Sequence, residues 1–164
     1  MASPATELSE SSEASKLYLE DLYPGRRFSS PARYFMDPRR IKEFAAEFDP
    51  QPFHTDEASA AGHSVFRGLA ASGWHTAAAT MRLMNESDLK LANGLVSVGG
   101  EMTWPRPTRP GDALRLEIEI LEIKPSRSKP KQGMAGIRFT TLNQREEEVQ
   151  ILTAWVLVYR RDAP

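Results

Sequence analysis

Between residues 37 and 48 the apolar positions are Ile41, Phe44, Ala45 and Phe48. This i, i+3, i+4, i+7 spacing lays them along one face of a helix. Asp37-Pro38 supplies the start, an N-cap followed by proline at the first helical position. Asp49-Pro50 supplies the end, because proline cannot continue an α-helix. Asp56 to Ala61 reads as a short helix and Gly62 to Leu69 as a loop. Gly73 to Met84 is apolar on nearly all sides, which predicts a central, buried helix. After Asn93-Gly94 the period changes. Leu95 to Trp104 reads as a strand, and in Asp112 to Ile123 the residues Leu114, Leu116, Ile118 and Ile120 alternate with charge. Such alternation marks an antiparallel strand with one wet face. Gly136 to Asn143 and Val149 to Arg160 form a further pair around the polar turn from Gln144 to Glu147. Arg26 to Phe35 reads as a first strand at a sheet edge, since Pro31 interrupts it. One strand, then helices, then four strands is an α+β order with antiparallel pairing. One long helix against one curved sheet is its simplest solution.

Composition narrows the function classes. A chain of 164 residues fits one domain, expected at residues 17–161. Residues 1–16, rich in Ser, Glu and Ala, read as a disordered leader without the basic and apolar regions of a signal peptide. The default location is therefore cytoplasmic. A net charge of −1 gives no global electrostatic case for nucleic acid or membrane binding. No apolar stretch approaches the roughly 20 residues of a membrane span. The absence of cysteine excludes disulfides and thiolate metal sites, and the three scattered histidines form no metal-binding pattern, so no metal site is expected.

The candidate chemistry is concentrated in Asp49-Pro50-Gln51-Pro52-Phe53-His54. Two prolines stiffen the turn and limit where the carboxylate and the imidazole point. Such a pair can activate one water and move one proton. Farther along, Ala71-Ser72-Gly73 opens the apolar helix, and a helix N-terminus offers unpaired N–H groups to developing negative charge. Base, acid and oxyanion donor are the parts needed to add water to an activated carbonyl compound or remove it. Taken alone, Asp49 also suits a turn cap, His54 and His75 suit structural histidines, and His63 suits a surface loop. Asp56 suits an N-cap of its short helix, and Ser72 an N-cap of the helix that follows it.

The ordered set Asp49-Pro50-Gln51-Pro52-Phe53-His54-x-Asp56, Gly68-Leu69-x-Ala71-Ser72-Gly73-Trp74-His75 and Trp104-x-Arg106-Pro107-x-Arg109-Pro110-Gly111-Asp112 resembles the MaoC-like dehydratases, which include the R-specific enoyl-CoA hydratases. Lys124-Pro125-Ser126-Arg127-Ser128 is similar to a stretch in one branch of that family. The resemblance covers roughly residues 17–161. It implies a hot-dog fold, a long helix wrapped by a curved antiparallel sheet, and a homodimer or higher oligomer joined at sheet edges. It also implies reversible hydration of a trans-2-enoyl thioester, on coenzyme A or an acyl carrier, to the (R)-3-hydroxyacyl product. Asp49 and His54 become the catalytic pair and Gly73 the backbone oxyanion donor, with no metal or redox cofactor.

Two departures from the hydratase pattern bear on the substrate. Glu47-Phe48 replaces a small residue and glycine, so Phe48 is expected to narrow the pocket. Gln51 replaces asparagine and is expected to orient the water or the carboxylate, while Ser72 lies beside the oxyanion donor. The loop from Lys124 to Lys131 carries four cations and no acid. It reads either as a clamp on coenzyme A phosphates through Arg127 and Lys129 or as a solvated hairpin kept from pairing by its prolines. Two other functions stay open: a hot-dog thioesterase, and a non-catalytic acyl-CoA or acyl-carrier binding module.

Overall fold

A computed structural model describes residues 15–161. Nearly all of the leader expected at residues 1–16 lies outside the described residues. The elements run β1 (Arg27–Ser29), β2 (Tyr34–Phe35), α1 (Pro38–Phe48), α2 (Pro52–Thr55), α3 (Glu57–Ala61), α4 (Gly73–Glu86), β3 (Val96–Thr103), β4 (Ala113–Pro125), β5 (Gln132–Leu142) and β6 (Glu148–Tyr159). Six strands make one antiparallel sheet in the order β1-β4-β5-β6-β3, with β2 also on β4. The sheet carries α4 on its inner face, the hot-dog arrangement.

Local chemistry explains most boundaries. Asp37 caps α1 by accepting from the backbone N–H groups of Arg39 and Arg40, with Pro38 in the first turn. Asp56 caps α3 through the Ser59 N–H, and Ser72 caps α4 through the Trp74 N–H. The alternation in β4 holds: Leu114, Leu116, Ile118 and Ile120 are all buried. They join Ala79, Leu83 and Met84 of α4 and Phe139 and Val156 in one core. A bulge between Ile120 and Glu122 then shifts the inward phase, which brings Ile123 against that core.

Three expectations change. The first strand is two short ones, β1 and β2, both paired with β4, because the chain bends through Ser30 to Arg33 around Pro31. β4 runs through Lys124 and Pro125, which pair with Met134 and Gly133, so β5 begins earlier than expected. Glycine at 133 suits this pairing, since a Cβ would sit 2.9 Å from the Lys124 carbonyl oxygen on the partner strand. Finally, α4 is not enclosed on all sides. The sheet takes one face, and Trp74 and Met81 remain exposed on the other.

Candidate active site

The turn after α1 builds the acidic half of the site. Asp49 is the residue where α1 stops, and its carbonyl accepts from the Gln51 N–H at 2.7 Å, closing a tight turn around Pro50. Pro52 then opens α2, whose single turn carries His54. The prolines thus act as their positions predict, fixing the backbone between the two side chains. His54 Nε2 faces Asp49 Oδ2 at 3.4 Å.

Each partner is held from behind. Gln51 Nε2 donates to Asp49 Oδ1 at 2.7 Å, and Ser72 Oγ donates to Asp49 Oδ2 at 2.7 Å. Burial alone would raise the Asp49 carboxyl, but the bonds from Ser72 and Gln51, together with nearby His54, outweigh it and lower the pKa. Asp49 is therefore a carboxylate at neutral pH. His54 is buried, and its Nδ1 lies 2.7 Å from the Ala70 carbonyl. A carbonyl only accepts, so Nδ1 carries the hydrogen and, in the neutral ring, Nε2 presents its lone pair toward Asp49. Two acceptors face each other across the 3.4 Å gap, an arrangement suited to a water that donates one hydrogen to each.

These residues open onto a cleft of about 460 Å³ that Asp49, His54, Gly73, Trp74, Trp104 and Thr108 help to line. Gly73 is the first residue of the fourteen-residue α4, so its N–H has no partner within the helix. The residue must be glycine because a Cβ would lie 2.7 Å from Cε2 of the Trp104 indole. That indole is anchored: its Nε1–H donates 2.9 Å to Gln150 Oε1. Gln150, fully buried, donates in turn to Thr80 Oγ1 at 3.0 Å, which lies 2.7 Å from Thr141 Oγ1.

The structure therefore brings Asp49, His54 and Gly73 to one cleft and sets Gln51 and Ser72 on Asp49. Ser72 is fully buried with its hydroxyl hydrogen on the carboxylate, so it holds Asp49 rather than lining the cleft. Phe48 does not narrow the pocket. It is not among the residues lining the cleft, is 63% exposed, and packs on Phe44 with ring centroids 5.0 Å apart. Arg127 and Lys129 sit in the hairpin beyond the far end of β4, while the cleft residue Thr108 lies just before its start. The thirteen residues of β4 lie between them, and neither cation lines the cleft of its own protomer. His63 turns inward to its own loop, where Nδ1 accepts from the Val65 and Phe66 N–H groups at 3.2 Å each. His75 is buried and stacks on Phe44 at 4.7 Å, as a structural histidine would, but its Nδ1 has no partner among the described residues.

Among the cleft residues given no role from the sequence are Thr76, Trp104, Arg106 and Thr108. Thr76 was accessible to it, since it follows Gly73 by three positions on the helix and shares its face. The other three belong to the segment from Trp104 to Asp112, which carried only the family resemblance.

A family model for the MaoC-like domain matches residues 21–142. The chain belongs to the MaoC-like family. A solved MaoC-like dehydratase from Rhodospirillum rubrum is 55% identical, covers 90% of this chain and 99% of its own, and superposes with a TM-score of 0.86. R-hydratase PhaJ1 from Pseudomonas aeruginosa shares the fold at 22% identity, with a TM-score of 0.69 over 91% of this chain and 94% of its own. A mesaconyl-CoA hydratase from Cereibacter sphaeroides is 35% identical over 71 residues, which is 43% of this chain and 20% of that protein. Among the described residues of this MaoC-like chain no helix is long and apolar enough to cross a membrane, and no three metal-binding side chains cluster.

Proposed function

We propose that the protein is a hydro-lyase that reversibly adds water across the double bond of a trans-2-enoyl thioester to give the (R)-3-hydroxyacyl thioester. The observation that carries this reading is the oriented carboxylate–imidazole pair: Asp49 held by two donors, His54 fixed in one tautomer, and the two 3.4 Å apart. Water donating to both has its oxygen lone pair free for C3. As the C3–O bond forms, one water proton passes to the pair and the π electrons move toward the thioester oxygen. The Gly73 N–H meets that developing charge, an interaction typically worth about 3 kcal/mol. The pair then returns a proton to C2 on the same face, so hydroxide and proton both end on the product and the enzyme is unchanged.

Coenzyme A thioesters are the favoured carrier, supported by the mesaconyl-CoA hydratase relative. A homodimer fits the exposed edge. β3 ends the sheet with nearly every residue exposed, including Val98 at 69%, and such an edge invites pairing with another strand. In a dimer the basic hairpin of one subunit is free to serve the cleft of the other.

The test is loss of enoyl-thioester absorbance on incubation with crotonyl-CoA and other trans-2-enoyl-CoAs, with Asp49→Asn as control. Loss that depends on Asp49 is expected. Release of free coenzyme A without hydration would point to a thioesterase, and binding without turnover to a carrier module.

A further inference from the structure

The rim and the floor of the cleft differ in kind. Val65, Trp74 and Trp104 at the rim are exposed and apolar, while Ala71, Thr76 and Thr108 deeper in are buried. Two of the three floor residues are hydroxylic. Thr76 Oγ1 donates to Thr108 Oγ1 at 2.9 Å, with the Ser72 carbonyl at 3.5 Å as its second acceptor. Thr108 is fixed independently of its side chain, since its carbonyl accepts from the Ala71 N–H at 2.9 Å. The hydrogen of Thr76 is thus spoken for, and Thr108, having accepted it, keeps its own O–H hydrogen for whatever enters the cleft.

An acyl thioester whose oxygen lies on Gly73 and whose C3 lies at Asp49 and His54 enters from the rim, so the remainder of its acyl group meets this floor. A hydrocarbon tail there would cover a donor without replacing its water, which is unfavourable. An acceptor oxygen would satisfy it, and a site built to hydrogen-bond a polar substituent discriminates strongly against the analogue lacking it. We infer that the Thr76–Thr108 hydroxyl pair is a specificity element, and that the site takes short acyl groups bearing an oxygen beyond C3 in preference to plain alkyl chains. This rests on the hydro-lyase reading above.

An isosteric substrate pair tests it. 5-Hydroxypent-2-enoyl-CoA and trans-2-hexenoyl-CoA have acyl groups of equal heavy-atom count and differ in a terminal hydroxyl against a methyl. The wild-type protein is expected to favour the hydroxylated substrate in kcat/KM by about tenfold, the worth of one net hydrogen bond. Thr108→Val keeps the shape and removes the hydroxyl. It is expected to abolish the preference by lowering kcat/KM for the hydroxylated substrate, and Thr108→Ser is expected to restore it. Fumaryl-CoA, carrying a carboxylate instead, shows whether the preferred oxygen is neutral or charged. Equal use of the isosteric pair, or a preference that survives Thr108→Val, would overturn the inference and leave the hydro-lyase reading standing. No hydration of any substrate by the wild-type protein would overturn both.

Discussion

The two walls of the cleft are built on different plans. The Asp49–His54 wall is one continuous turn of six residues, shaped by its own prolines and tied to α4 through Ser72. The Trp104 wall is assembled at long range. Its indole rests on Gly73, its N–H is held by Gln150 of β6, and that amide continues to Thr80 of α4, itself beside Thr141 of β5. The first wall places reacting groups, so its failure is chemical. The second is part of the packing between helix and sheet, so its failure also costs stability.

Asp49→Asn separates the two most sharply. Asparagine keeps the size of the side chain and can still meet Ser72 and Gln51, but it cannot accept a proton. Hydration is expected to fall by about 10²–10⁴-fold, the usual contribution of a positioned base, with the thermal midpoint nearly unchanged. A variant that loses its fold along with its activity would show that the turn is also structural, and the contrast between the walls would collapse.

Gly73→Ala strikes where the walls meet. The backbone N–H survives, but the new Cβ would lie 2.7 Å from the indole. Trp104 or the start of α4 has to shift, and overpacking of this kind costs about 1–3 kcal/mol. Both stability and turnover should drop. An alanine variant with wild-type melting and full activity would mean that Trp104 is free to move aside.

Gln150→Leu addresses the second wall alone. It leaves the part-buried Trp104 Nε1–H without its partner and takes from Thr80 one of its two neighbouring donors, Thr141 remaining, at a cost of about 1 kcal/mol or somewhat more. Chemical denaturation should show that loss, with a smaller effect on turnover than Asp49→Asn. Unchanged stability would remove Gln150 from the anchor.

The same contrast explains what could be read from the chain. Asp49, His54 and Gly73 were legible because the groups that position them are neighbours in sequence: prolines on either side of Gln51, a serine cap before the glycine. The antiparallel sheet was legible from the alternation in β4, where burial follows every second residue up to the bulge at Leu121. Phe48 was misplaced because helical geometry turns consecutive side chains about 100° apart, so adjacency to Asp49 did not carry it into the cleft. Thr108 and Trp104 stayed hidden because their role depends on packing against Gly73 and Thr76, some thirty residues away, and nothing local to a strand-turn-strand segment announces that contact. Gln150 gave no signal at all: a polar residue in a strand ordinarily faces water, and here it is fully buried because the indole and Thr80 satisfy it.

The smallest expected effect lies on the fold side of this division, at His75, two residues along α4 from Gly73. Burial, with Arg40 of α1 nearby, pushes its imidazole below the ordinary value of 6.5, and its Nδ1 has no partner among the described residues to support a charge. The folded protein therefore binds this proton less tightly than the unfolded chain does. Above pH 6.5 both states are neutral at His75 and the residue adds no pH dependence. As the pH falls below 6.5, the unfolded chain is protonated first, so stability declines until the lower folded pKa is reached. Thermal midpoints measured on either side of pH 6.5 should show that decline in the wild type and a flatter profile in His75→Phe, which keeps a ring against Phe44 and cannot titrate. Hydration by the variant should persist, because His75 does not line the cleft. Parallel profiles for the two proteins would place the acid sensitivity elsewhere, and a variant that lost activity without losing stability would move His75 from the packing into the site.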